Sequence, residues 1–239
     1  MKKNIWHPVT FQPELTVGQY VVPNFVSNSV AIRLSDKEFV LYSPGESLLA
    51  SWPDKWRSTD TKMHIIMPNG FHYMGVAAWQ TAFPNHQLYA SNAAIPRLIK
   101  QSVAPAESDI IPLEKQQPPL PESYSVLFPP GHRAGDIWLK KDNGDGSSVW
   151  VTCDSFLNYE RVSNQPVARF AQKLLGAAPG LKISQVVKWF IMNNRKLFKQ
   201  WALQQLANDK PTTLMPSHGE IAQTDALPEQ LEDLIKQRL

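Results

Sequence analysis

The chain has 239 residues, of which 43% are hydrophobic and 19% are charged, so it suits one large globular domain or two small ones. Its net charge of +3 is too small to indicate a nucleic-acid-binding protein by itself. No stretch approaches the roughly 18 apolar residues of a membrane-spanning helix, and the N-terminus lacks the apolar core of a signal peptide. The single cysteine, Cys153, excludes an internal disulfide and is typical of a reducing compartment. We therefore expect a cytoplasmic protein that binds neither nucleic acid nor a membrane, and the sequence indicates no oligomeric state.

The first half of the chain predicts strands that alternate with short helices. Residues 1–20 are interpreted as an extended lead-in, and residues 21–45 predict two or three strands rich in β-branched residues. The elements that follow are a buried strand at 63–67, a helix at 76–83, a strand at 87–90 and a helix at 94–102. This alternation indicates an α/β layered fold.

A proline-rich segment at 104–122 separates the two halves of the predicted sheet system. Its five prolines are Pro105, Pro112, Pro118, Pro119 and Pro121. Because both sides contribute to the candidate site described below, we interpret the segment as a connector inside a single domain of residues 1–239.

The second half of the chain begins with strands and then becomes helical. Strands at 137–139 and 148–152 flank the turn at 142–146, which is a good signal for a β-hairpin. A helical insertion covers residues 160–208. Helices are predicted at 167–175, 183–208 and 228–238, the last of them capped by Thr224 or Asp225.

Three short apolar runs in this half each lead to a residue type that binds metal ions. The runs lead to His132, Asp154 and His218, respectively. A short apolar run is typical of a buried strand, and turn residues place the polar side chain at the strand's open end, where α/β layers collect their sites. Because zinc and non-haem iron take imidazole and carboxylate ligands, the pattern predicts a metal site.

This order of residues resembles the metallo-β-lactamase fold family. The family's later metal motifs are a His in a Pro-Gly-His turn, an Asp that ends a strand, and a His in a Ser-His-Gly turn, and His132, Asp154 and His218 stand at those three positions. The strands predicted at 30–45 resemble the family's opening hairpin, and the resemblance extends from around Val21 to the C-terminus. It implies a four-layer αββα sandwich, here with extra helices near the C-terminus.

The family's first metal motif, His-x-His-x-Asp-His, is mostly missing. If His72 takes the place of the last His, then Met67 and Asn69 stand where the first two His belong. Phe71 stands in the place of the Asp. The chain thus resembles a branch of the fold with the form Pro-Asn-x-x-His, and hydrolase activity does not follow from the fold alone.

The resemblance makes four residues candidate metal ligands, namely His72, His132, Asp154 and His218. A catalytic zinc usually has three protein ligands and a water. His72, Asp154 and His218 meet that count for one ion, and His132 would lie next to it. A second ion would have only His132 and Asp154. We therefore expect at most one tightly bound zinc or iron ion, or none, with Asp154 and His132 as catalytic residues and Asp154 steering the metal-bound water.

Each candidate also has a purely structural interpretation. His132 would be a loop residue bonded to backbone, Asp154 a strand-end residue that caps a turn, and His218 a surface residue. His72 would be a satisfied polar residue beside Tyr73.

Several neighbouring residues are given supporting roles. Strand alternation places Cys153 on the face opposite Asp154, as a buried and inert thiol. Asn69 shapes its turn or donates hydrogen bonds to a substrate. Asp136 and Glu220 either support a metal-ligating His or lie on the surface.

The predicted helix at 183–208 lies in a basic region that also holds Trp189 and Phe190. Residues 181–200, which include most of this helix, contain no acidic residue and five basic ones, which are Lys182, Lys188, Arg195, Lys196 and Lys199. The pattern indicates either a basic surface that attracts an anionic substrate or a solvated helix face. Aromatic residues at helical spacing are more typical of a core.

Two functions remain open from the sequence. The first is a metallo-β-lactamase-like hydrolase with a reduced, mononuclear site that acts on a small-molecule ester, thioester, lactone or phosphoester. The alternative is a relative that has lost the metal chemistry and serves as a binding or interaction protein.

Overall fold

The computed structural model describes residues 3–10, 12–22, 25–162 and 166–239. The chain divides into two compact units, Met1–Pro121 and Glu122–Leu239. The division falls inside the proline-rich segment predicted as a connector. Whether the chain forms one domain, as we interpret the sequence, stays a prediction.

The first unit is built on a mixed sheet whose described strands lie in chain order. These strands are β1 (Ile5–Val9), β2 (Gln12–Val22), β3 (Phe25–Ser35), β4 (Glu38–Tyr42), β5 (Lys62–Ile66), β6 (His86–Ala90) and β7 (Ile110–Pro112). Neighbours are antiparallel from β1 to β4 and parallel from β4 to β7. The predicted lead-in therefore contributes β1 and most of β2 to the sheet, and the proline-rich segment contributes the edge strand β7.

Short helices connect the parallel strands of this unit. They are α1 (Val76–Ala82) and α2 (Ile95–Lys100), with 3-10 turns at Glu46–Ser51, Asp54–Trp56 and Glu107–Asp109. Helix α1 buries Val76 and Trp79 and ends before Pro84, which lacks the N–H that would continue it. Trp79 packs edge-to-face on Trp52 with ring centroids 5.2 Å apart, in an aromatic core that fixes the helix on the sheet.

A buried histidine links three strands of the first unit. The His64 side chain on β5 is 1% exposed, with Nδ1 3.0 Å from the Tyr89 hydroxyl and Nε2 2.9 Å from Glu38 Oε1. Burial lowers the pKa of His64, and the hydrogen bond to Glu38 only partly opposes that effect. The imidazole is therefore a neutral structural group, and it is not a site residue.

The lowered pKa of His64 predicts a pH-dependent stability. As pH falls, His64 takes up a proton in the unfolded chain before it does so in the folded one. The stability that comes from keeping His64 neutral is therefore complete above its ordinary pKa of 6.5, and it is lost as pH falls toward the lowered pKa of the folded state. We expect the free energy of unfolding to decline between about pH 7.5 and about pH 5, and to decline less steeply in His64→Gln. Urea denaturation across this range measures both slopes, and equal slopes would contradict the assignment. The lowered pKa of Glu38 acts below its ordinary value of 4.5, outside this window.

The second unit is built on a mixed sheet whose described pairs are antiparallel, apart from the parallel pair of β10 and β12. Its strands are β8 (Tyr124–Leu127), β9 (Trp138–Asp142), β10 (Ser148–Tyr159), β11 (Gly180–Lys182), β12 (Pro211–Gly219) and β13 (Ala222–Gln223). Strand β10 pairs parallel with β12 and antiparallel with β9 and β11. The hairpin predicted around 142–146 joins β9 to β10.

Helices cover the region between β10 and β12 and the end of the chain. They are α3 (Pro166–Leu174), α4 (Arg195–Asp209) and α5 (Leu227–Arg238), with a π-helical turn at Val187–Ile191. Helix α5 buries Leu227, Leu231 and Ile235, whereas Leu234, which the spacing also assigns to the buried face, is only partly buried. Its N-cap is Ala226, without a side-chain cap, so the predicted cap is wrong. No helix among the described residues is both long and apolar enough to cross a membrane.

The single helix predicted at 183–208 is wrong, because the chain leaves helical geometry at Met192. The backbone N–H groups of Asn193 and Asn194 donate to the carbonyl oxygen of Gly131 at 2.9 and 3.2 Å. These bonds replace the ones that would continue the helix. Asn194 then caps α4 by accepting a hydrogen bond from the Leu197 N–H at 3.0 Å.

Candidate metal centre

A wide irregularity in the pairing of β10 sets the direction of the Asp154 side chain. Residues 153–156 of β10 stand opposite only Ser217 of β12, because the register shifts between Thr152 and Leu157. Such bulges re-aim side chains next to functional sites. Asp154 lies in this stretch, and its Oδ1 is 3.0 Å from Nε2 of His218 on the parallel strand. Both side chains are largely buried, at 9% and 15% exposure.

The same irregularity brings Cys153 close to two carboxylates. Ligand atoms of Asp136, Cys153 and Asp154 all lie within 4.8 Å of one another. Our expectation that alternation turns Cys153 away from Asp154 is therefore wrong, because the bulge interrupts the alternation. Burial, and then the Asp154 carboxylate, raise the pKa of the Cys153 thiol well above its ordinary value. The thiol therefore stays protonated and unreactive at neutral pH.

His132 lies in a buried polar cluster with Asp136 and Ser155. Its Nε2 is 3.2 Å from the Ser155 hydroxyl, and its Nδ1 is 3.3 Å from Asp136 Oδ2. The Ser155 hydroxyl donates to Asp136 Oδ2 at 2.9 Å and accepts from the Trp138 indole at 3.1 Å. Since Ser155 has one proton to give, His132 Nε2 must be the donor in their contact. His132 Nδ1 makes no hydrogen bond, although it faces Asp136.

The structure therefore places the predicted site residues of the second unit in two connected groups. Asp154 pairs with His218, whereas His132 pairs with Asp136. Within the part of the chain that the structure describes, no group of three close ligand atoms includes His132. The sequence suggested support by Asp136 but missed Ser155, because a serine within an apolar strand carries no local signal of its partners.

The turn that carries His132 is held by the broken helix described above. Gly131 has a φ of 75°, which L side chains rarely adopt, and a β-carbon there would overlap the carbonyl oxygen of Asn194. The Arg133 N–H donates to the carbonyl oxygen of Ile191 at 2.8 Å. The His132 ring packs edge-on against Phe198 of α4, with centroids 5.1 Å apart.

This arrangement predicts a large cost for adding a methyl group at Gly131. We expect Gly131→Ala to lower the free energy of unfolding by about 3 kcal/mol, through the strained φ and the overlap together. Gly144→Ala is the matched control, because its φ of 80° is similar but nothing lies within 4 Å of the added carbon. We expect the control to lower the free energy of unfolding by only about 1 kcal/mol. Chemical denaturation of both variants measures the two values. Equal costs would show that contact with Asn194 does not hold the turn.

In the first unit, His72 follows a turn that Asn69 shapes. Asn69 Oδ1 accepts hydrogen bonds from the backbone N–H groups of Phe71 and His72 at 2.8 and 3.2 Å. Asn69 is fully buried, as is Met67 in the core. His72 Nδ1 is 2.8 Å from the hydroxyl of Ser43, a residue with a φ of 57° in the turn after β4. Ser43 thus orients the His72 ring, a contact that the sequence did not indicate.

The Asp154 and His218 pair fits a metal ion. Two ligands on bonds of about 2.0–2.1 Å in a tetrahedral zinc site stand about 3.3 Å apart, close to the 3.0 Å between Asp154 Oδ1 and His218 Nε2. Carboxylate oxygen and imidazole nitrogen suit zinc and iron alike. The chain therefore holds candidate metal-ligand groups of the expected chemistry.

Comparison with known proteins identifies the fold. No protein-family model and no curated protein matches the sequence. Solved structures that match include a fragment of a diflavin flavoprotein from Nostoc sp. PCC 7120, at 13% identity and a TM-score of 0.64 over 98% of both chains. The metallo-β-lactamase DIM-1 matches at 11% identity and 0.62 over 99% of both chains. A flavoprotein from Thermotoga maritima matches at 14% and 0.61, over 97% of this chain and 60% of that chain.

These similarities show that the chain has the metallo-β-lactamase fold, and the predicted α/β class is confirmed. At these identities they show the fold alone. The fold is shared by lactamases and by flavoproteins, so it does not select one reaction.

Proposed function

We propose that this protein is a metal-dependent hydrolase with a reduced, mononuclear site. The observation that carries the proposal is the 3.0 Å pair of Asp154 and His218, aimed by the bulge in β10. A metallo-β-lactamase fold that has lost most of its first motif has little reason to keep a carboxylate and an imidazole at this spacing unless they bind something.

His72 stays the predicted third protein ligand. With Asp154 and His218 it completes the three-ligand count of a catalytic zinc or iron site that leaves a position for water. The contact with Ser43 at Nδ1 favours this role, because a hydrogen bond at one ring nitrogen orients the other toward a metal.

We assign the remaining residues by their contacts. A bound zinc or iron ion supplies a water with a pKa lowered toward about 7 and polarises a carbonyl or phosphoryl group. Asp154 would hold the ion through one carboxylate oxygen, and its other oxygen would orient the attacking water and accept its proton. His132, whose Nε2–H is directed to Ser155, is better suited to position Asp136 than to bind the ion. The substrate class is an ester, thioester, lactone or phosphoester.

Elemental analysis of the purified protein tests the proposal. After incubation with zinc, iron or manganese and removal of free ions, we expect about one equivalent to be retained. The loaded protein should then hydrolyse at least one of the four substrate classes, and the chelated protein should not. Less than about a tenth of an equivalent under all conditions would overturn the proposal.

The second candidate is a binding protein without catalysis, and the Asn69 turn favours it. The side chain that stands at a first-motif ligand position is used for two backbone hydrogen bonds, and Met67 is part of the core. Retention of a metal without turnover of any substrate class would favour this function.

A further inference from the structure

The helical region between β10 and β12 has a pronounced excess of positive charge. Residues 161–208 contain no Asp or Glu, and their basic residues are Arg161, Arg169, Lys173, Lys182, Lys188, Arg195, Lys196 and Lys199. Because the whole chain carries +3, all other residues together carry −5. The excess of positive over negative charge is therefore concentrated in this one region.

The same region exposes large apolar side chains. Phe170 and Leu174 of α3 are each 69% exposed, Trp189 is 58% exposed and Phe190 is 69% exposed. Our expectation that aromatic residues here belong to the core is wrong for Trp189 and Phe190. The helix break sends Val187 into the core and leaves these two rings outside.

Charged and aromatic side chains are interleaved within this region. The Arg195 guanidinium lies 4.3 Å from the centre of the Trp189 ring, and the Lys188 ammonium lies 5.7 Å from it. The Gln185 N–H donates to the carbonyl oxygen of Leu175 at 2.8 Å, which joins the end of α3 to the π-helical turn. We call Phe170, Leu174, Lys188, Trp189, Phe190 and Arg195 the basic aromatic surface.

We propose that the basic aromatic surface docks on the anionic face of a lipid bilayer. Such a bilayer offers phosphate and carboxylate charge next to an apolar layer, which complements basic residues beside Trp, Phe and Leu. A nucleic acid fits less well, since aliphatic Leu174 cannot stack on bases. A second copy packed through this same surface would oppose two sets of like charges.

The proposal departs from our expectation that the protein binds no membrane, which rested on the lack of an apolar segment long enough to span one. A spanning helix needs a long apolar segment, whereas a docking surface needs only an apolar patch with basic residues that enters the headgroup layer. Since the surface includes none of the candidate metal ligands, the proposal is independent of the metal site.

Vesicle sedimentation of the full-length protein tests the proposal. At about 0.1 M salt we expect binding to phosphatidylcholine vesicles that contain about a third phosphatidylserine, and little binding to pure phosphatidylcholine. Lys188→Gln with Arg195→Gln should weaken the partition about 25-fold, at about fivefold for each basic residue. Phe170→Ser with Phe190→Ser should weaken it at least about tenfold.

Matched variants separate this surface from general charge and hydrophobicity. Lys100→Gln with Lys115→Gln removes two exposed charges elsewhere, and Val21→Ser with Met74→Ser removes two exposed apolar side chains elsewhere. Both control pairs should bind vesicles like the wild type. No sedimentation with the anionic vesicles, or equal losses in test and control pairs, would overturn the proposal. So would tight binding of a labelled oligonucleotide without vesicle binding, or self-association through this surface.

Discussion

Replacing Asp154 by alanine is expected to lower metal affinity at least about 100-fold. Loss of a residue that only supports a ligand costs roughly 10- to 100-fold, and loss of a ligand should cost no less. The bulge aims the Asp154 carboxylate at His218 Nε2 across 3.0 Å, so the substitution removes one of the two ligands of this pair. Competition with a chromogenic chelator measures the affinity for zinc in both proteins.

Asp225→Ala is the control for this experiment, because it removes an exposed carboxylate of the same unit without touching the bulge. Its metal affinity should equal that of the wild type. If the wild-type protein binds zinc and Asp154→Ala binds it equally well, then Asp154 is not a ligand. The pair with His218 would then be only a structural contact.

Replacing Asp136 by alanine is expected to destabilise the second unit by about 3 kcal/mol or more. Removing one member of a buried polar cluster leaves its partners unsatisfied, and each buried group left unsatisfied costs about 1–3 kcal/mol in addition to the lost packing. Here the loss would remove the acceptor of the Ser155 hydroxyl and the carboxylate that faces His132 Nδ1, in a cluster whose side chains are fully buried.

Asp136→Asn separates the lost charge from the lost hydrogen bond. An amide keeps an oxygen that accepts from Ser155, so we expect a smaller cost of about 1–2 kcal/mol. Urea denaturation of the metal-free proteins measures both values. If Asp136→Ala costs less than about 0.5 kcal/mol, the cluster does not stabilise the fold and His132 is free to serve another role.

The two experiments also assign different roles to the two carboxylates, which lie within 4.8 Å of each other. Asp154→Ala should act mainly on metal affinity, whereas Asp136→Ala should act mainly on stability. The reverse result would place the ion on the His132 side of the cluster.

Local patterns were enough to predict many elements, but the strand predicted at 148–152 continues through Asp154 to Tyr159, so Asp154 does not lie at a strand end. Helix α1 follows from an apolar spacing that ends at Pro84, and the β9–β10 hairpin follows from a turn rich in Asp, Asn and Gly. The three apolar runs that lead to His132, Asp154 and His218 likewise correspond to β8, β10 and β12. Each of these features depends on residues close together in the chain, so the sequence contains the whole signal.

The predictions that failed depend on partners far away in the chain. A helical pattern continues through 183–208, but Gly131 captures the backbone amides of Asn193 and Asn194 and breaks it. Strict alternation separates Cys153 from Asp154, but the pairing of β10 with β12 introduces a bulge. Neither Gly131 nor β12 lies close in the chain to the segment that it changes, so a short stretch of sequence does not reveal these contacts.

The sequence by itself therefore determined the α/β class and the residue types to which the apolar runs lead. Periodicity and turn composition are local properties, and they need no knowledge of packing. Only the tertiary structure decided that Asp154 pairs with His218, that His132 turns to Asp136 and Ser155, and that Trp189 and Phe190 remain exposed. Those outcomes depend on hydrogen bonds and strand register between distant segments, because such contacts override the local preference of each segment.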